Sequence, residues 1–483
     1  MLRDLLKEGG HYTLASLATK GISLLLIPFY SDYFTTAEYG ILALLAASGA
    51  LTAAVFSFQI YQGVGRFISD KSLSEKEQKQ IGSSGFFFTT LSYGVFILIA
   101  LIFKTEVIDY LSEEDRIKES TYYFWLIAIF LNGFYYNLGI QLRFLRKTKI
   151  FGATSFLFAI ANVILILFFA LVMDYRIDSI FIANLIVAPI IILIQLYHLR
   201  DYMVLYMGRK EIKKLLRFST PLIPASVAYI VLNFTDRIFI KDFNNALGEV
   251  GIYDMAFKFS ALVSIIILAF QSALAPIIYE KHNEKNTLKE LGRIFRVFLS
   301  LGTMGILLLS MFSYETLYIF TQPQYFEASI LMPIFYLTIL VTGLGMFSPG
   351  LHVKQRTKTI PFIVITSALL NIALNYWIIP IYHLWGAALA TLISTLFNNL
   401  VLFYFSQRVY PIHLEAKKTI GVIILFLVAF VFVSYMSAFI EVNYLISILI
   451  RLTLLGLYTL FLIRIKFISF AKVQELLKIK IPR

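Results

Sequence analysis

Cysteine is absent from all 483 residues, which excludes disulfides and thiolate metal sites. Charge is scarce as well: 15% of residues are Asp, Glu, Lys or Arg, too few to clothe a soluble multidomain protein. No glycine loop with a phosphate-binding lysine occurs, so the chain holds no ATP motor. His11, His198, His282, His352, His383 and His413 are scattered near span ends and show no metal-ligand spacing. No cofactor is expected. The start, Met1 to Glu8, lacks the short apolar core and small-residue cleavage site of a secretory signal, so the first span is expected to stay uncleaved.

What fills the chain is apolar. Hydrophobic residues make up 59%, Phe alone numbers 45, and mean hydropathy is +0.78. Crossing the hydrocarbon core takes about 20 apolar residues in a helix. Runs of that kind predict spans at 10–32, 38–64, 82–103, 120–141, 150–172, 178–199, 218–240, 247–275, 294–312, 326–348, 359–379, 384–405, 419–439 and 443–463. Pro333 and Pro349 interrupt the pair 326–348 and 359–379. The expected fold class is an all-α polytopic membrane protein with about fourteen transmembrane helices. A membrane β-barrel would instead show short alternating strands.

The net charge of +13 is explained by where the bases lie. Alternate connections and both ends carry 33 Lys and Arg, among them Arg143 to Lys149, Arg209 to Arg217 and Arg464 to Arg483. The opposite connections carry five: Lys104, Arg116, Lys118, Arg176 and Lys241. Cytoplasmic loops attract such an excess, so both termini are expected in the cytoplasm. The bases are then orientation signals and contacts to anionic lipid heads, with no role for nucleic acid.

A faint repeat runs through the chain. Thr36-Ala-Glu38-Tyr-Gly40 echoes Leu247-Gly-Glu249-Val-Gly251, 211 residues later. Lys147-Thr-Lys149 followed by Asn162 echoes Arg356-Thr-Lys358 followed by Asn371, at an offset of 209 between the asparagines. Two such echoes suggest two pseudo-symmetric six-helix lobes plus two extra C-terminal helices. The boundaries expected are 1–217, with a cytoplasmic linker, then 218–410, then 411–483. Repeats of this kind are frequent in secondary transporters, which bind substrate between the halves.

Charges inside spans are costly and usually face a bundle interior or a wet cavity. Lys20 sits about 15 Å into the first span, too deep for easy snorkelling. Asp236 and Arg237 lie near the end of one span. They read either as functional groups or as an interfacial cluster with Lys241 and Asp242. Asp254 and Lys258 are one turn apart and either neutralise each other or serve a ligand. Arg451 reads as an anchor or a ligand, and Asp32 and Glu38 as solvated or gating carboxylates. Asn162 and Asn371 are expected to be interhelical hydrogen-bonding glue.

Asp236-Arg237, Glu249-Val-Gly251-Ile-Tyr253 and Lys258, with Glu38-Tyr39-Gly40 in the first half, resemble the polysaccharide-biosynthesis flippases. These are the Wzx-type O-antigen translocases of the MATE/lipid-flippase (MOP) superfamily. The resemblance covers essentially the whole chain through span count, orientation and repeat. It implies a bacterial inner-membrane transporter rather than an enzyme, working by alternating access on oligosaccharide linked to undecaprenyl pyrophosphate. Partners implied are that lipid, membrane lipids, and the polymerase and chain-length machinery of polysaccharide assembly, with the protein working as a monomer. A diphosphate in low dielectric needs cations, for which Lys20, Arg237, Lys258 and Arg451 are the candidates. Asp236, Asp254, Asp32 and Glu38 are the candidates for ion coupling or gating. A cation-coupled drug or metabolite exporter, a peptidoglycan lipid II flippase and a membrane-bound polymerase are the competing readings.

Reporter fusions at Glu113 and Lys213 are expected to report opposite sides of the membrane. The same side for both would overturn this topology.

Overall fold

The computed structural model describes residues 21–22, 26–70, 72–111, 117–244, 246–281, 284, 286–439, 444–465 and 467. Among them the regular structure is helical. After a short helical stretch at 26–33 come α1 (Thr36–Phe56), α2 (Ile60–Ile68), α3 (Glu75–Ile102), α4 (Lys104–Leu111), α5 (Glu119–Phe144), α6 (Thr148–Leu171) and α7 (Asp178–Leu199). They are followed by α8 (Arg209–Ser219), α9 (Ile223–Asn244), α10 (Leu247–Lys281), α11 (Thr287–Met311), α12 (Ser313–Phe320) and α13 (Met332–Leu344). The last are α14 (Gly350–Val353), α15 (Thr359–Val409), α16 (Ala416–Phe439) and α17 (Tyr444–Arg464).

Twelve of the described helical segments are long and apolar enough to cross a membrane. That is fewer than the fourteen spans expected, for two reasons. Most of the span at 10–32 lies outside the described residues. The spans at 359–379 and 384–405 are joined as α15, which turns at His383 (φ 49°, ψ −128°), just past Pro380. A proline inside a helix removes one backbone donor and crowds the preceding turn, so the kink has a local cause.

The span expected at 38–64 is broken differently. Phe58 and Gln59 adopt left-handed backbone, with φ 48° and 51°, and separate α1 from α2. Left-handed backbone costs a side-chain-bearing residue about 1–2 kcal/mol. Here local polar bonds hold it: the Gln59 amide donates to Ser57 Oγ (3.1 Å), Gln59 Nε2 to the Ala54 carbonyl (3.4 Å), and Tyr61 Oη to Gln59 Oε1 (2.5 Å). Irregular backbone within a membrane is tolerated where such partners exist.

The chain divides into two compact units, Met1–Asp254 and Met255–Arg483. In the first, α7 packs on α5 and α6, α3 on α2 and α5, and α9 on α1. That last contact carries the unit past residue 217, beyond the lobe boundary expected from the repeat. In the second, α13 packs on α15, while α16 and α17 both lie against α11.

Capping boxes start two helices. Thr35 and Glu38 satisfy each other's backbone amides at α1, and Ser74 and Glu77 do so at α3. Buried amides link helices in the first unit: Asn137 Nδ2 donates to Thr89 Oγ1 (3.1 Å), and Gln141 Nε2 to Asn137 Oδ1 (2.9 Å) and the Gly82 carbonyl (3.3 Å). The asparagines expected in that role behave otherwise. Asn162 donates to Phe158 of its own helix (2.8 Å), and Asn371 accepts from Asn375 of its own helix (3.1 Å).

Asn137→Ala is expected to lower stability in detergent by about 1 kcal/mol, as interhelical polar contacts in membranes do. Asn162→Ala should cost measurably less, because its amide serves only its own helix. Thermal or SDS unfolding of both variants checks the difference.

Candidate functional site

The α9–α10 hairpin brings together charges that are distant in sequence. Arg237 on α9 is 0% exposed, Asp236 2% and Asp254, on α10, 3%. The Arg237 guanidinium donates through Nε (2.9 Å) and Nη2 (2.8 Å) to Asp254 Oδ1. Its Nη1 donates to Asp236 Oδ1 and to the Asn233 carbonyl, both at 2.9 Å. Tyr253 Oη closes the group by donating to Asp236 Oδ2. The rings of Phe234 and Tyr253 lie 5.0 and 5.6 Å from the guanidinium carbon, adding cation–π attraction.

This arrangement follows from the chemistry of the side chain. A guanidinium is planar, stays charged and offers several fixed donors, so it tolerates burial where a lysine would lose its proton or snorkel away. Asp254 is thus held by Arg237 across the hairpin. Lys258 is half-buried on α10. One turn beyond Arg237, Lys241 is also buried and lies 4.9 Å from the Tyr110 ring, whose hydroxyl donates to Asp242 (2.6 Å).

The other sequence candidates fall elsewhere. Glu38 belongs to the α1 capping box and accepts from Arg176 Nε (2.9 Å) and Nη2. That hydrogen bond raises the Arg176 pKa above the usual guanidinium value. Tyr33 Oη donates to Asp174 (2.7 Å) and to the Ala170 carbonyl (2.8 Å), so the start of α1 is fastened to the α6–α7 turn. Asp32 is exposed near the same turn. In the second unit, Arg451 of α17 donates to the Met311 carbonyl (2.6 Å) and pairs with Glu315 of α12, which makes it an anchor of the last helix. Lys20 lies outside the described residues.

Beside the ionic cluster lies a cavity of about 320 Å³, between α1, α3 to α5 and α9. Its lining carries no charged side chain. The polar ends of Tyr122 and Trp125 donate to the carbonyls of Ala100 (2.7 Å) and Leu45 (3.1 Å). Phe234 and Ile238 of α9 face this apolar space, while Asp236 and Arg237 on the same helix are held in the ionic cluster. Sequence reading missed the cavity and the Arg176 clamp. Both arise from segments far apart in the chain.

Many apolar helices around buried, paired charges define a multi-pass membrane protein. The chain belongs to the polysaccharide biosynthesis protein family, whose profile matches residues 5–282, more than half its length. Its fold is similar to that of the lipid II flippase MurJ in the inward closed conformation, at 17% identity and a TM-score of 0.75, covering 94% of this chain and 99% of that one. It is also similar to a multidrug resistance MATE family transporter of the MOP superfamily in an inward-facing conformation, at 14% identity and a TM-score of 0.64, covering 82% and 94%. The Vibrio cholerae MATE transporter VcmN in the bent form gives 16% identity and a TM-score of 0.54, covering 84% and 97%. At these identities the likeness is one of fold. No curated protein matches the chain.

Arg237→Ala leaves two buried carboxylates uncompensated and is expected to cost about 3–5 kcal/mol of stability. Replacing Asp236 and Asp254 by Asn in the same chain should restore most of the loss. Membrane levels and thermal unfolding in detergent read both. Equal stability of the single variant and the parent would contradict the buried network.

Proposed function

We propose that the protein moves oligosaccharide linked to undecaprenyl pyrophosphate from the cytoplasmic to the outer leaflet of a bacterial inner membrane, by alternating access, for surface polysaccharide assembly. The observation that carries this reading is the family match over residues 5–282, joined to a MOP-type fold. An anionic cargo needs cations within spans, and Lys20, Arg237, Lys258 and Arg451 are the bases that could serve it. Transport of this kind makes and breaks no covalent bond, so the protein acts as a carrier and not an enzyme. Both termini lie in the cytoplasm in this reading, and the polymerase and chain-length machinery receive the product. The chain works as a monomer.

Lys20 and Lys258 are the proposed diphosphate contacts. Arg237 and Arg451 are tied to carboxylates, so they reach phosphate only if those pairs open. Asp236 and Asp254 are then the groups best set to respond, since each releases or retains Arg237, and they are the proposed coupling carboxylates. Asp32 and Glu38 are proposed to act at the outer entrance. The pairing of Asp236 and Asp254 with Arg237, and of Glu38 with Arg176, weighs against the cation-coupled exporter. The lipid II flippase reading differs in the group carried on the lipid, and substrate comparison decides between the two.

Proteoliposomes loaded with defined lipid-linked saccharides test the reading directly. The parent chain is expected to move a polysaccharide repeat unit faster than lipid II, and movement of neither would overturn the function. Lys258→Ala should abolish surface polysaccharide while the protein stays in the membrane at normal level. Lys258→Arg should keep more activity than Lys258→Gln, because a mobile anion responds to charge. Normal polysaccharide from a Lys20→Ala, Lys258→Ala double variant would refute the site.

A further inference from the structure

The lining of the cavity beside the ionic cluster favours one kind of filling. α9 packs on α1, and each helix turns one face to the space, Ser48 and Thr52 from α1 and Ile230, Phe234 and Ile238 from α9. The floor is buried, at Ala47, Phe96, Tyr122 and Trp125. The mouth is not: Ile99 is 41% exposed and Phe103 53%. It continues a stripe of exposed apolar side chains on α3, namely Leu91, Val95, Leu98 and Ile102. In a membrane-spanning helix such a stripe faces hydrocarbon, so the cavity opens on lipid tails. Water fills it poorly, because a buried water needs about two to four polar partners. The Tyr122 and Trp125 donors already serve the carbonyls of Ala100 and Leu45, and Ser48 Oγ serves that of Leu44 (2.8 Å). Left empty, the cavity would cost its lining the dispersion contacts of one whole side. Engineered apolar cavities of roughly 150 Å³ stay dry and take up benzene, and this one is larger, at about 320 Å³.

We propose that this cavity seats one acyl chain of a zwitterionic phospholipid, a resident lipid distinct from any transported cargo. The polar end of the seat lies beside the mouth. Lys104 follows Phe103 directly, and its Nζ bonds Glu119 (2.6 Å) and Tyr123 Oη (3.4 Å). Charges and a tyrosine at the ends of apolar segments mark the headgroup level. Both signs are present and partly exposed there, so Lys104 can receive a phosphate and Glu119 an ammonium group. Trp125 stands six residues into α5 from Glu119, about 9 Å deeper along the helix. A chain descending from the ionic pair therefore passes the Trp125 ring. It also meets Phe234, whose ring lies 5.0 Å from the Arg237 guanidinium carbon. Hydrocarbon in this place keeps water from the buried ionic cluster and preserves the low dielectric in which its charges attract. The seat does not depend on the transport reading.

Tryptophan fluorescence tests the seat. The chain has 3 Trp, and both Trp377 and Trp385 are exposed and lie outside the cavity lining. Trp377→Phe with Trp385→Phe leaves Trp125 as the reporter on the cavity floor. This variant is placed in vesicles of phosphatidylcholine brominated along one acyl chain, where bromine quenches indole at short range. Lipid is the solvent here, so a binding site is filled, and Trp125 emission is expected to fall about twofold or more relative to unbrominated vesicles. No quenching would overturn the proposal outright. Ser48→Leu and Ala100→Leu, made separately in this variant, fill the cavity from different helices, and each is expected to restore most of the emission. Undiminished quenching in a filled variant that unfolds at the parent temperature would show bromine acting from outside the cavity, and would overturn the seat. Two further arms need no filling variant. Aqueous iodide is expected to leave the emission unchanged, and quenching by it would show a water-filled cavity instead. Undecaprenyl phosphate added in trace amount is expected to leave the bromine quenching in place. Relief by it would assign the cavity to a polyprenyl tail and overturn the phospholipid.

Discussion

A guanidinium with none of its surface exposed dictates much of the first compact unit. An unpaired charge in low dielectric is so costly that Arg237 can be buried only where carboxylates meet it. One carboxylate comes from the neighbouring position, but the second, Asp254, must be delivered by the next helix. α9 and α10 are therefore held at a fixed rotation and height by one side chain. A hydrophobic contact would tolerate sliding; a two-sided ionic fork does not. This gives specificity of packing more than net stability, since the desolvation of three charges offsets much of their attraction.

The helices were legible because the solvent that surrounds them imposes one rule. In hydrocarbon every backbone group must be bonded within its own segment, so long apolar runs become helices almost without exception. The loops were legible through their charge. What escaped the sequence were departures within those runs. Nothing in Ser57-Phe58-Gln59 announces a break, for neither glycine nor proline is present, and the interruption rests on side-chain bonds visible only in three dimensions. Asn162 and Asn371 looked like glue because they are polar residues in apolar spans. Asn137 has the same character, and polarity alone does not tell which asparagine faces a neighbouring helix. The spacing of Asn137 and Gln141, one turn apart on one face, was the available signal.

The ionic site was half legible. Charges in spans pointed to the correct hairpin, because burial of Asp236, Arg237 and Asp254 has no cheap explanation. Pairing was another matter. Helical spacing favours partners four residues apart, which nominated Lys258 for Asp254. Arg237, a partner 17 residues away across a turn, carries no such signal, because its geometry is set by how the two helices pack. Glu38 shows the same limit. It was visible as a carboxylate at a helix start, yet its clamp to Arg176 spans 138 residues.

The repeat and the ionic cluster meet on one short stretch of α10. Gly248 and Gly251 turn toward α1, and Asp254 reaches Arg237 on α9. Seven residues of helix cover about 10 Å, so these contacts share two turns of one rigid body. Any tilt of this stretch that separates Gly251 from Thr36 also moves the Asp254 carboxylate against the guanidinium fork. The position of the start of α10 is therefore set jointly by a charge pair and by close backbone contact.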